Sequence, residues 1–162
     1  MTKKIRVNVI AEKFVGEANG VYTAIVQLVN KLKEHPEIEV AENGSVSKSD
    51  ITHAHTIGLD YVWKSFFNKK KMIVSAHVVP ESYKGSLIFS ELWKPLATKY
   101  LKFVYERASL IVAVSPQVKI DLEAIGVRSE IDVLCNSVNR QKYKQDAEKR
   151  KAYRKKWGFK DD

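Results

Sequence analysis

Histidines 53, 55 and 77 are the residues of this 162-residue chain best placed to do chemistry. His53 and His55 alternate with Thr52 and Ala54 in "ITHAHT", so both point to one face of a strand. Metal binding would need a third ligand, and no Cys/His/Asp cluster supplies one at a familiar spacing, so no metal is expected. His53 reads as a packed histidine, whereas His55, nearer the strand end, is the better candidate to reach a ligand. His77 closes the apolar run of "MIVSAH" and precedes a turn-like segment around Pro80. It therefore stands where a parallel sheet exposes its working end. The loop "EKFVGEANG" carries Gly16 and Gly20 into a helix N-terminus, whose unpaired N–H groups favour an anion. It is neither a P-loop nor G-x-G-x-x-G, and such a glycine pair also serves as a plain turn. Ser115 and Asn136 follow two later strands and read most simply as a helix cap and a turn residue.

These residues need a scaffold, and hydrophobic periodicity supplies one. Ile5 to Ala11 reads as a buried strand. Val21, Ile25, Leu28, Val29 and Leu32 then recur at helical spacing until Pro36. "IEVAENG" and "ITHAHT" read as the second and third strands, residues 58–67 as a short helix, and "MIVSAH" as the fourth strand. A helix from about Phe89 to Arg107 is expected to carry Leu92, Leu96, Tyr100, Phe103 and Val104 on one stripe. "LIVAVS" is the fifth strand. "PQVKIDLEAIG" is a helix capped by Ser115 and ended by Gly126, and "EIDVL" is the sixth strand. "QDAEKRKAYRKKWGF" is a basic helix closed by Gly158. Strands alternating with helices predict a doubly wound α/β domain, a Rossmann-like parallel sheet of about six strands covered on both faces. With the common order 3-2-1-4-5-6, the switch point lies between the first and fourth strands. His77 should then face Gly16 and Gly20 across one crevice.

Composition narrows the function classes. The chain is long enough for one domain with a proper core. A single cysteine, Cys135, excludes an internal disulfide and fits a reducing compartment. The start of the chain does not read as a signal peptide, and no run approaches the roughly 18 apolar residues of a membrane span. The net charge of +9 is uneven. Residues 64–107 hold nine Lys/Arg against three Asp/Glu, and residues 140–162 hold ten against four. Such basic faces suit phosphates, nucleic acid or anionic lipid, and equally a solvated lysine-rich surface. No helix-turn-helix, zinc or RNA-recognition signature appears, so nucleic acid is not an expected partner.

Taken together, "ANGVYTAIVQLVNKL", "DITHAHT", "MIVSAHVVPES", "ERASLIVAVSPQVKIDLEAIGV" and "IDVLCNSVNRQKY" follow one another as in a known family. The chain resembles the N-terminal domain of family 4 retaining glycosyltransferases, with the two-domain GT-B fold, from residue 5 to about 158. The most specific part is the block from Ala108 to Lys119 followed by "NSVN". The resemblance implies that residues 1–140 form an acceptor-side domain. Residues 141–162 would then be a basic helix and linker leading to a donor-binding domain absent from this chain. It places Gly16, Asn19 and Gly20 near the donor diphosphate, and His77 as the catalytic histidine facing the transferred sugar. His55, Ser115 and Asn136 fall in the substrate region. The family commonly has Gly-Gly-Val where this chain has Asn19-Gly20-Val21. It has Pro-Asn-Gly-Val-Asp where this chain has Cys135 to Asn139.

No cofactor is implied; the donor is a nucleotide sugar, expected to be a UDP-sugar, used as substrate. With its partner domain missing, the isolated chain is expected to be inactive. A neutral His77 would hydrogen-bond a sugar hydroxyl through one nitrogen while backbone groups orient the other. The +6 stretch interleaves Trp63, Phe66, Phe67, Trp93, Tyr100 and Phe103 with lysines, among them Lys69, Lys70 and Lys71. Within the resemblance that points to a glycolipid acceptor and a peripheral enzyme at the cytoplasmic face of an anionic membrane. The plain alternative makes the aromatics core and the lysines solvated. A non-catalytic α/β regulatory or anion-binding module would share the architecture, but would not need a histidine at a strand end.

Overall fold

The computed structural model describes residues 4–11, 20–79, 90–136 and 144–159. Six strands form one parallel sheet: β1 (Ile5–Ile10), β2 (Ile38–Glu42), β3 (Ile51–Ala54), β4 (Met72–Ala76), β5 (Leu110–Ala113) and β6 (Glu130–Val133). Among the described residues five α-helices accompany them: α1 (Gly20–Lys33), α2 (Leu59–Asn68), α3 (Ser90–Tyr105), α4 (Pro116–Ala124) and α5 (Ala147–Trp157). Alternation of strand residues divides the core in two. Val7 and Val9 pack under Ile25 and Val29 of α1. Ile10, Ala54, Met72, Val74, Ala76 and Ile111 pack with Tyr61 of α2, Leu101, Val104 and Tyr105 of α3, and Leu122 of α4.

The strand order is β2-β1-β3-β4-β5-β6, not the expected 3-2-1-4-5-6. The sheet order therefore reverses between β1 and β3, with β4 one strand farther on. Two carboxylates, Glu39 and Glu42, lie within the five residues of β2, which stays half-buried at best. A charged strand is tolerated at a sheet edge and not between two others. The β2–β3 connection is also tied to β1 along its length. The buried Asn8 amide donates to the Gly44 carbonyl at 3.1 Å and accepts from its N–H at 2.8 Å. Asn43, in the left-handed region at φ 53°, accepts from Ala11 N–H at 2.9 Å. Asp50 accepts from the Arg6 backbone N–H at 2.9 Å.

Among the described side chains, the buried stripe of the helix from residue 90 to 105 shares only Val104 with the one expected. Leu101, Val104 and Tyr105 are fully buried, whereas Leu96, Tyr100 and Phe103 face outward. The expected stripe included Leu96, Tyr100 and Phe103 but not Leu101 or Tyr105, so it was rotated from the true one, and Ala108, buried just past the helix, continues the correct row. The side chains of Leu92 and Trp93 lie outside the described residues. Pro95 lies inside this helix without ending it. α5 is closed as expected, with Asp146 accepting from Lys149 N–H at 3.0 Å and Gly158 left-handed at φ 68°. It buries none of its residues. Among the described residues no helix is long and apolar enough to cross a membrane.

Candidate functional site

Parallel strands bring their carboxyl ends to one edge, and here β3 and β4 end side by side, with Ala54 opposite Val74. His55 leaves β3 and His77 leaves β4, one residue past each strand. The His55 N–H donates to the Ile10 carbonyl at 3.0 Å, which holds it against the end of β1. Two residues back, on the same face, His53 Nε2 lies 2.8 Å from Ser75 Oγ. His55 Nδ1 lies 3.3 Å from His77 Nε2. The three rings form a ladder, with centroids 4.5 Å apart for His53–His55 and 5.6 Å for His55–His77.

A cavity of about 150 Å³ opens beside this ladder, lined by Val21, His55, Thr56, His77, Val78 and Tyr105, among others. Val21 is the second residue of α1, so the helix start that carries Gly20 forms one wall. Tyr105 Oη donates to the Val78 carbonyl at 2.6 Å and pins the chain leaving β4. A Cβ added at Gly20 would meet nothing within 4 Å among the described residues, so none of them requires the glycine there.

Burial lowers the histidines' proton affinity, because a low-dielectric setting disfavours the charged ring. For His53 desolvation, followed by repulsion from His77, brings the pKa to about 4. For His55 desolvation, with smaller contributions from His53 and His77, brings it to about 3. His77 is shifted the same way by desolvation. All three rings are therefore neutral at pH 7. Neutral imidazoles hold and orient hydroxyls or phosphate oxygens, and do not supply an acid near neutrality. The ladder is not arranged as a ligand set, and among the described residues no group of three His, Cys, Asp or Glu could hold a metal ion.

The expected residues fall into three groups. His55, His77 and the start of α1 at Gly20 come together, though not as drawn from the sequence. β3 intervenes, so His55 adjoins β1 and His77 reaches the cavity from one strand farther. The ring nitrogen of His77 is oriented by His55, where backbone groups were expected. Ser115 and Asn136 do not line the cavity. Ser115 Oγ accepts from Val118 N–H at 3.2 Å as the cap of α4, and Asn136 is exposed beyond β6. Gly16 and Asn19 lie outside the described residues, as does the Lys70 side chain. Lys69 is exposed, but Lys71 Nζ donates to the Ser49 carbonyl at 3.1 Å and works inside the fold. Sequence reasoning missed Ser75 and Tyr105. Ser75 was visible as the one polar residue inside "MIVSA", the kind of position that needs a partner.

The outer surface of α2 and α3 is the second unusual region. Leu59 is 84% exposed, Trp63 67% and Phe67 69%. The rings touch one another: Trp63 meets Phe67 edge-on at 5.2 Å, and Phe66 lies 6.4 Å from Phe103. The Arg107 guanidinium sits 3.8 Å over the Phe66 ring. The aromatics on this surface are therefore not core.

Comparison with known proteins places this architecture. The sequence model described as Glycosyltransferase Family 4 matches residues 9–142, most of the chain and both histidine-bearing strand ends. The chain belongs to glycosyltransferase family 4. The alpha-galactosylglucosyldiacylglycerol synthase of Streptococcus pneumoniae (strain ATCC BAA-255 / R6) is 31% identical over 147 residues. That alignment covers 87% of this chain and 39% of the relative, so the chain spans well under half the length of this curated family member. Two crystal structures of Anabaena HepE, one with UDP and glucose and one with UDP-glucose, share the fold. Their TM-scores are 0.63 and 0.61 at 16% and 15% identity, over 95% of this chain and 50% of theirs.

Proposed function

We propose that this family 4 chain is the acceptor-side half of a retaining glycosyltransferase that moves a sugar from a nucleotide-sugar donor to a glycolipid acceptor. The observation that carries the reading is the cavity where His55, His77 and the start of α1 meet at the strand-order reversal. That is where a doubly wound sheet receives its ligand. Neutral imidazoles can bind sugar hydroxyls there. The positive end of the α1 dipole favours the donor's phosphates, and the open space over Gly20 lets them approach the backbone. The solved HepE complexes, which hold UDP with glucose or UDP-glucose, support a UDP-sugar as the donor. The leaving diphosphate's charge must also be stabilised. We assign most of that work to a donor-binding domain beyond residues 141–162, which leaves the present chain inactive alone.

The acceptor reading rests on two supports. The Streptococcus relative is named for synthesis of a glycosylated diacylglycerol. The exposed rings of α2 and α3, flanked by Arg107 and Lys69, form a surface suited to the interface of an anionic membrane. The enzyme would then work peripherally at the cytoplasmic face. The test of the transfer reading is His77→Ala in the two-domain protein, assayed with a UDP-sugar and a diacylglycerol-based acceptor. Loss of transfer with the thermal midpoint kept supports a role for His77 at the reacting sugar. A stable variant with full activity sinks it.

A further inference from the structure

We infer that His55 is a positioning residue that fixes the tautomer of His77, so that His77 offers its ligand a single Nδ1–H donor. The inference rests on the reading of His77 as the sugar-facing group, and deepens it. Two neutral rings that share an N···N contact of 3.3 Å must place one proton between them, and only two arrangements do so. In the first, His55 carries its proton on Nδ1 and donates to His77 Nε2. In the second, His77 carries it on Nε2 and donates to His55 Nδ1.

The far nitrogen of His55 separates the two. Its Nε2 is buried and has no hydrogen-bond partner among the described residues. In the first arrangement that atom is a bare lone pair. In the second it is a buried N–H with no acceptor among the described residues, a group that folded proteins rarely leave unpaired. The first arrangement is therefore the cheaper one. The ring of His55 has little room to turn, since it is only 7% exposed and lies 4.5 Å from the tilted ring of His53. His53 is itself tethered to Ser75 Oγ at 2.8 Å, and a hydroxyl can donate or accept, so it accommodates either state.

The consequence lies on His77. With Nε2 occupied as an acceptor, its proton must sit on Nδ1, which bonds no described residue, and the side chain lines the cavity. The ligand must then present an oxygen lone pair to this ring, as a sugar hydroxyl or a phosphate oxygen does. Free histidine side chains favour the Nε2–H form, so the state is imposed by His55 rather than intrinsic to His77.

The test begins with the chain itself. It has four histidines, and long-range nitrogen–proton correlation spectra at pH 7 distinguish the two tautomers of each ring. His55 and His77 are both expected as Nδ1–H. A His77 ring protonated on Nε2 overturns the inference without any variant. In His55→Leu, His77 should revert to Nε2–H. In His55→Asn, whose amide nitrogen takes the place of Nδ1, it should stay Nδ1–H. In the two-domain protein, His55→Leu should lower kcat about tenfold, a modest loss for removing an orienting partner. KM for the nucleotide sugar should change less than about twofold, as expected for a contact felt mainly in the transition state. His55→Asn should recover most of kcat, and an Asn variant no better than Leu overturns the positioning role. Absence of any glycosyl transfer by the wild-type two-domain protein would instead refute the functional reading, while the spectra still decide the tautomer.

Discussion

The carboxyl edge of β3 and β4 and the outer surface of α2 and α3 reverse the usual partition in opposite directions. The first withdraws polar rings from water, with His55 and Ser75 buried and His53 half-buried. The second leaves Trp63, Phe66 and Phe67 in it. A buried polar group and an exposed apolar cluster are the informative exceptions on a protein surface. Their hydrogen bonding tells them apart. The histidine corner is tied by contacts at 2.8 and 3.3 Å and is built to stay in place. The Trp63, Phe66 and Phe67 rings are held, among the described residues, by ring contacts and one guanidinium, and would lose exposure by meeting something else.

The largest effect should separate these regions by activity. His77→Ala in the two-domain protein is expected to lower kcat by about a hundredfold, within the range for lost orientation at a reacting group. Its thermal midpoint should stay within about 2 °C. Paired Trp63→Ser and Phe67→Ser should leave transfer to a water-soluble acceptor intact. Equal activity losses in both variants would erase the distinction.

Next in size is vesicle binding. The double Trp63→Ser, Phe67→Ser variant should bind anionic-lipid vesicles at least about tenfold more weakly, since inserting each ring contributes on the order of 1–2 kcal/mol. Wild-type binding should weaken with salt. Lys71→Gln should alter stability more than binding, because its Nζ is engaged with the Ser49 carbonyl. Unchanged binding in the aromatic variant would return this surface to a solvated one.

Acid should find the histidine corner first. The folded-state pKa values are lowered, to about 4 for His53 and about 3 for His55, from an ordinary value near 6.5. Between those limits the unfolded chain binds more protons than the folded one, so stability rises with pH there. The corner's contribution is full above pH 6.5 and is lost progressively as the pH falls to about 4 and then 3. Melting curves between pH 7 and 4 should shift downward in the wild type and less in His53→Leu. A flat wild-type profile would mean the rings are more hydrated than the structure shows.

The smallest expected effect belongs to Ser115, which caps α4 and does not line the cavity. Ser115→Ala removes the acceptor for Val118 N–H and should cost about 1 kcal/mol of stability, as helix caps do. Activity should follow only that loss. A large fall in kcat from this substitution, with the fold intact, would bring Ser115 back into the substrate region.

Much of this was legible in the sequence. Runs such as "MIVSA" and "LIVA" declare buried strands by their β-branched content, and Ser115-Pro116 and Gly158 mark helix ends by local chemistry alone. Strand order was not legible in the same way, because it depends on which strand tolerates an edge. The clue lay in Glu39 and Glu42, outweighed by the habit of a common topology. The stripe of α3 was misjudged because Leu96, Tyr100 and Phe103 all carry enough apolar surface to pass for core. Whether they face in or out depends on what lies across from them. The meeting of His55 with His77 needed the register between β3 and β4, which alternation within each strand cannot supply.

The stitching of the β2–β3 connection bears on how the protein ages. Asn43-Gly44 is the dipeptide most prone to deamidation, in which the glycine nitrogen attacks the asparagine side-chain carbon, ammonia leaves, and water opens the succinimide to aspartate or isoaspartate. In the folded chain the Gly44 N–H is donating to Asn8 at 2.8 Å, and the Asn43 side chain is held by Ala11. The nucleophile and its target are each committed elsewhere. Stored folded, the protein should keep Asn43, and held in urea it should gain the one-dalton mass of the acid at this peptide. The clamp that ties the β2–β3 connection to β1 thus also acts as a preservative.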